Sequence, residues 1–201
     1  MTTARYPRFY AALAYAAAKH DGQVRKGTNI PYITHPVAVA EILSRYNCAP
    51  EVVYADQLHD VIEGSHVTQE DLAEQFDAEV AAVSEKKWEA NKKIPWEARK
   101  LRQLRILQES DAADALHNLT TIVADFARAG DKLWQRFNAS KAKQLWYYIT
   151  LTNILVDKLG AGPPAGELQA VLAEFLDVCA FNGADCAAID NEARTAAADQ
   201  V

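Results

Sequence analysis

Cysteine is scarce in this 201-residue chain: Cys48, Cys179 and Cys186 are the only three. None forms a CxxC pair, and an odd number cannot all pair internally, so a disulfide framework is excluded and reduced thiols are expected. No apolar run approaches the roughly 18 residues that a membrane-crossing helix needs. The first eight residues, Met1 to Arg8, lack the apolar core of a secretory signal. Excess positive charge is also missing. The net charge is −6 and the pI about 5.4, which argues against a broad nucleic-acid or anionic-membrane surface. A local basic patch for a small phosphorylated ligand remains compatible with that balance. The expectation is a cytoplasmic protein without nucleic-acid or membrane partners.

Alternating strand patterns are absent as well. Half of the residues are apolar, and they recur at helical spacing. A chain of this length buries roughly 70% of the surface its unfolded form exposes, so it needs no covalent staples. The reading is all-α, about nine helices and no sheet. One domain is expected over 1–182, with an Ala-rich tail over 183–201 that frays.

Pro7 to His20 reads as the first helix, and Asp21 to Pro31, with its glycines and the basic pair Arg25-Lys26, as a loop. A second helix covers about His35 to Tyr46. Pro50 suits a first-turn position and opens a third helix reaching about Glu63, with Gly64 as its stop. Thr68 and Asp71 form a capping box for a short helix. Ala78 to about Lys87 and Pro95 to about Glu109 are two further helices; the segment from Lys86 to Pro95 is basic, with Trp88 in it and Trp96 directly after. A helix capped by Ser110 or Asp111 runs to about Ala129 and stops at Gly130. A loop with Asp131, Trp134 and Arg136 follows. Asn138 or Ser140 caps a long helix to Leu159, and a last helix covers Ala165 to Phe181.

Chemistry concentrates in few places. Only five histidines are present. His35 stands where a loop becomes a helix, and His59 is followed directly by Asp60. Adjacent helical residues point in different directions, so one ion shared by His59 and Asp60 must lie between them and take ligands from another element. His35 and Asp114 are the candidates. Two imidazoles and two carboxylates form a mixed nitrogen and oxygen shell, suited to Mn²⁺ or Fe²⁺, and also Zn²⁺ or Co²⁺, rather than Ca²⁺. Glu63, one turn after His59 and Asp60, can orient a water or take its proton. Asn118, one turn after Asp114, can brace that carboxylate or bond a ligand. Arg25 and Lys26 suit phosphate recognition, and an arginine can also stack on a base.

Four segments carry a resemblance: His20-Asp-Gly-Gln-Val-Arg25-Lys26-Gly, Ile30-Pro-Tyr-Ile-Thr-His35-Pro36, Leu58-His59-Asp60-Val-Ile-Glu63 and Ala113-Asp114-Ala-Leu-His-Asn118-Leu. In order and spacing they resemble the HD hydrolase domain of the RelA/SpoT family, in its small stand-alone alarmone hydrolase form, from about Tyr10 to Ile122. The resemblance implies an all-helical fold and one Mn²⁺ held by His35, His59, Asp60 and Asp114. It implies removal of the 3′-pyrophosphate from (p)ppGpp, with Asp60, Glu63 and Asn118 at the reaction and Arg25, Lys26 and Asn118 on the nucleotide. Two positions depart from the pattern. Gly64 replaces the family's second carboxylate, leaving Glu63 alone. Asp111 stands where this branch commonly has a lysine, and a carboxylate there repels a phosphate. These departures leave room for another nucleotide phosphate such as NADPH, or for a slow metal- and nucleotide-binding module.

Overall fold

Helical periodicity in the sequence becomes helix in the computed structural model, which describes residues 7–64, 67–76, 88–89, 92–93, 109–179 and 186–191. Besides a helical segment at 186–191, these hold eight α-helices. They are α1 (Pro7–Lys19), α2 (Thr34–Arg45), α3 (Pro50–Asp56), α4 (Val61–Gly64), α5 (Gln69–Gln75), α6 (Glu109–Ala129), α7 (Lys141–Leu159) and α8 (Ala165–Val178). The all-α class holds. A single pair of two-residue strands, β1 (Trp88–Glu89) and β2 (Lys92–Lys93), is the one small sheet among the described residues. The helices expected over Ala78 to Lys87 and Pro95 to Glu109 lie mainly outside the described residues. No described helix is long and apolar enough to cross a membrane, and all three cysteines are free thiols.

The chain divides into two compact units, 1–89 and 90–201. The first unit is built on α1, whose Ala12 and Ala16 are fully buried one turn apart. They join Tyr54, Ala55, Leu58, Val61, Val67 and Leu72 in one apolar core. The helix ends follow local chemistry. Lys19 occupies the last turn of α1, where the helix dipole favours a cation. Asn47 takes a left-handed φ of 56° just after α2, which ends that helix. Pro50 sits at the start of α3. At α5 the capping box is complete: the Asp71 N–H donates to Thr68 Oγ1 at 3.1 Å, and the Thr68 N–H donates to Asp71 Oδ2 at 2.8 Å.

The helix expected from Pro50 to Glu63 is not continuous: α3 ends at Asp56, residues 57–60 are a turn, and α4 begins at Val61. Across the break the backbone bonds tighten to three-residue steps, with Leu58 N–H on Ala55 O, His59 N–H on Asp56 O and Val61 N–H on Leu58 O. The cause is local. The Asp56 carbonyl also receives the His59 ring, Nδ1 to O at 2.5 Å, so His59 captures an acceptor that the helix uses to propagate.

In the second unit α8 packs on both α6 and α7. Phe175 of α8 meets the Phe126 ring edge-on at 5.6 Å, and Trp134 joins them. Trp134 lies in Gly130–Arg136, expected as a loop but folded as a 3₁₀ helix. Gly130, at φ 56°, supplies the left-handed residue that ends α6 and starts this turn. Ser140 caps α7, its hydroxyl accepting the Lys143 N–H. The tail expected to fray is helical over 186–191, with Ile189 buried.

Candidate metal centre

The loop between α1 and α2 is closed by backbone pairing. Val24 and Pro31 form an antiparallel bridge, Arg25 N–H donates to Ile30 O at 2.8 Å, and Tyr32 N–H donates to Gln23 O at 2.9 Å. Gly27, at φ 72°, allows the tight return at the tip. Arg25 is thereby half-buried, its guanidinium 5.5 Å from the centre of the Tyr32 ring, while Lys26 is exposed. The loop delivers His35 into the first turn of α2, where the residue is 1% exposed.

The tight turn after α3 presents His59 and Asp60 together. A carbonyl only accepts, so the bond to Asp56 O makes Nδ1 the protonated nitrogen of His59. This puts the lone pair on Nε2, the atom from which the ring could hold a metal. That Nε2 lies 3.1 Å from Asp60 Oδ2, and His35 Nε2 lies 3.5 Å from the same oxygen. The ligating atoms of His35 and His59 are within 4.8 Å of one another.

Two imidazole nitrogens and an anionic oxygen this close repel unless a proton or a cation lies among them. Donors about 2.1 Å from a common ion, at angles near 90–110°, stand about 3.0–3.4 Å apart. The 3.1 Å spacing at Asp60 Oδ2 lies in that range and the 3.5 Å spacing just above it, so the residues fit a divalent ion with nitrogen and oxygen ligands.

Two further groups support this cluster, and neither was singled out in the sequence. Tyr32 donates its hydroxyl to Asp60 Oδ2 at 2.5 Å. Burial first, then the Asp60 charge and this hydrogen bond, push the Tyr32 hydroxyl far above its ordinary pKa and keep it a neutral donor. Asp56 is buried and holds His59 through its carbonyl; its carboxylate is 3.6 Å from His59 Nδ1. The available signal was the polar pair Asp56-Gln57 interrupting an apolar run from Val52 to Leu58.

Glu63 belongs to α4. The break at 57–60 removes the helical spacing that would align it with His59 and Asp60, so that argument for its position no longer stands. Asp114 and Asn118 belong to the second unit, on α6. There Asn118 Nδ2 donates to Asp114 Oδ1 at 2.8 Å, so the amide braces the carboxylate. Asp111 is half-buried one turn before Asp114.

Residues 12–142 match the family model described as HD domain. A 64-residue stretch is 50% identical to the guanosine-3′,5′-bis(diphosphate) 3′-pyrophosphohydrolase of Haemophilus influenzae, covering 32% of this chain and 9% of that protein. Over 123 residues the identity to the Spiroplasma citri protein of the same name is 34%, covering 55% of this chain and 16% of that one. The chain thus spans only a small part of these curated relatives. Among solved structures, lmo0812 from Listeria monocytogenes EGD-e is similar at 30% identity and a TM-score of 0.59, covering 73% of this chain and 98% of that one. A metazoan ortholog of SpoT that hydrolyzes ppGpp shares the fold at a TM-score of 0.59 and 23% identity, covering 88% of this chain and 97% of that one.

Proposed function

The chain belongs to the HD domain family, and from that premise we propose that it is a metal-dependent phosphohydrolase removing the 3′-pyrophosphate of (p)ppGpp. The observation that carries the reading is the approach of His35 Nε2 and His59 Nε2 to one Asp60 oxygen, at 3.5 and 3.1 Å. In this reading Asp114 adds the fourth ligand, and the ion is Mn²⁺. When bound, the ion supplies Lewis acidity and makes water a better nucleophile at neutral pH. Glu63 takes the proton of the attacking water. Asn118 holds Asp114 in place and meets the ribose and phosphates of the nucleotide. Arg25, held over Tyr32, stacks on the base or forks onto phosphate oxygens, and Lys26 offsets the substrate's charge.

The test is release of pyrophosphate from ppGpp with Mn²⁺ present. GDP and pyrophosphate in equal amounts are expected. No turnover at high enzyme concentration with metal bound sinks the proposal. The half-buried Asp111 beside Asp114 and the glycine at position 64 favour a second reading, hydrolysis of another nucleotide phosphate such as NADPH. In that case phosphate, rather than pyrophosphate, is released from a panel of nucleotides.

A further inference from the structure

We propose that Tyr32 is the positioning residue for the metal-ligating carboxylate, its hydroxyl holding Asp60 Oδ2 toward His35 Nε2 and His59 Nε2. The inference rests on the metal-site reading above and adds a residue to it. Asp60 sits on the turn 57–60 rather than in regular helix. An aspartate on such a turn can rotate about its last side-chain bond and offer either oxygen, or both, to a cation. A donor fixed on one oxygen removes that freedom.

Tyr32 is built to be fixed. Its backbone is tied to Gln23 at 2.9 Å, next to the Val24 and Pro31 bridge. Its ring is packed 4.7 Å from the His20 ring and 6.0 Å from the His35 ring. His20 is itself 3% exposed, and its Nδ1 is held by Gln23 Oε1 at 2.9 Å. The hydroxyl therefore starts from a rigid base and reaches across 28 residues of sequence to Asp60.

The choice of oxygen matters. Oδ2 is the atom that both histidines approach, and it is the atom that accepts from Tyr32. A carboxylate oxygen has two lone pairs. With one taken by the hydroxyl, the other is left for the ion, which favours ligation through a single oxygen. Groups that orient a ligand in this way typically contribute ~10–100-fold to metal affinity.

The experiment compares the full-length wild type with Tyr32→Phe, both stripped of metal. Mn²⁺ affinity is measured by competition with a chelator, and the visible absorption of each protein is recorded after Co²⁺ loading. Phenylalanine keeps the ring and its packing, so only the hydroxyl is lost. Tyr32→Phe is expected to bind Mn²⁺ ~10–100-fold more weakly and to show shifted Co²⁺ bands, with the metal-free protein still folding cooperatively. Wild-type affinity and an unchanged Co²⁺ spectrum overturn the proposal while leaving the metal site intact. If Tyr32→Phe does not fold, Tyr32→Gln, which keeps an N–H donor without adding an imidazole, is set against Tyr32→Leu, which has none. Stronger binding by the glutamine variant supports the proposal, and equal binding overturns it. A wild-type chain that takes up no Mn²⁺ sinks the metal-site reading itself, and this inference with it.

Discussion

Gln57 is the residue whose replacement should stabilise the protein. It caps the C-terminus of α3, immediately before the turn that carries His59 and Asp60, and is 1% exposed. Neither Oε1 nor Nε2 finds a hydrogen-bond partner among the described residues. Burying such a group without a partner costs about 1–3 kcal/mol, and methionine has nearly the same length and shape without the polar atoms. Gln57→Met is therefore expected to raise stability by about 1–3 kcal/mol. For a chain of this size that corresponds to a rise of about 3–8 °C in melting temperature. The assay is thermal unfolding followed by far-UV circular dichroism on metal-free protein, with Mn²⁺ affinity measured alongside. Because the side chain of Gln57 makes no bond to the ligands, Mn²⁺ affinity should be unchanged. A melting temperature that stays put or falls would mean that the amide makes bonds in solution, and no stabilisation would follow from removing it. A gain in stability with a loss of metal affinity would instead assign Gln57 a role at the site.

Two further predictions concern stability. The Thr68 N–H and hydroxyl bonds hold the Asp71 carboxyl below its usual pKa, so its contribution is present above the unfolded value and fades as pH falls through the folded one. The stability difference between wild type and Asp71→Asn should accordingly shrink between neutral pH and about pH 3; a difference that grows on acidification contradicts the cap. Asp125, buried on α6, accepts from Arg128 and, at 2.9 Å, from Arg136. Asp125→Ala should cost about 1–2 kcal/mol in urea unfolding, below the figure for a fully buried pair because Arg136 is 29% exposed. A cost near zero would mean that solvent satisfies both arginines.

What was legible in the sequence was local. The Thr68 and Asp71 box needs only groups within four residues of one another, and it forms as read. Gly130 likewise ends α6 because its backbone alone decides the matter. The residue types that meet at Asp60 were also legible, since imidazoles and carboxylates are rare in apolar helices. The turn at 57–60 was not, because the apolar period runs on through Leu58 and Val61. At that turn a side chain, His59, competes for the Asp56 carbonyl, and the same bond selects the tautomer that puts the ring's lone pair on Nε2. Tyr32 escaped notice for a different reason. Its partner is 28 residues away, and only the folded loop, closed at Val24 and Pro31, brings the hydroxyl to Asp60. Short-range chemistry can thus be read in the sequence, whereas the support of a ligand by a distant residue depends on packing.

Whether Asp60 holds a catalytic metal is decided by a metal assay paired with ppGpp hydrolysis, on wild type and Asp60→Ala. The oxygen at issue is the one that both His35 and His59 approach and that Tyr32 holds. Metal uptake and pyrophosphate release are expected of the wild type, and loss of both in the variant. Metal and activity retained by Asp60→Ala would contradict that role.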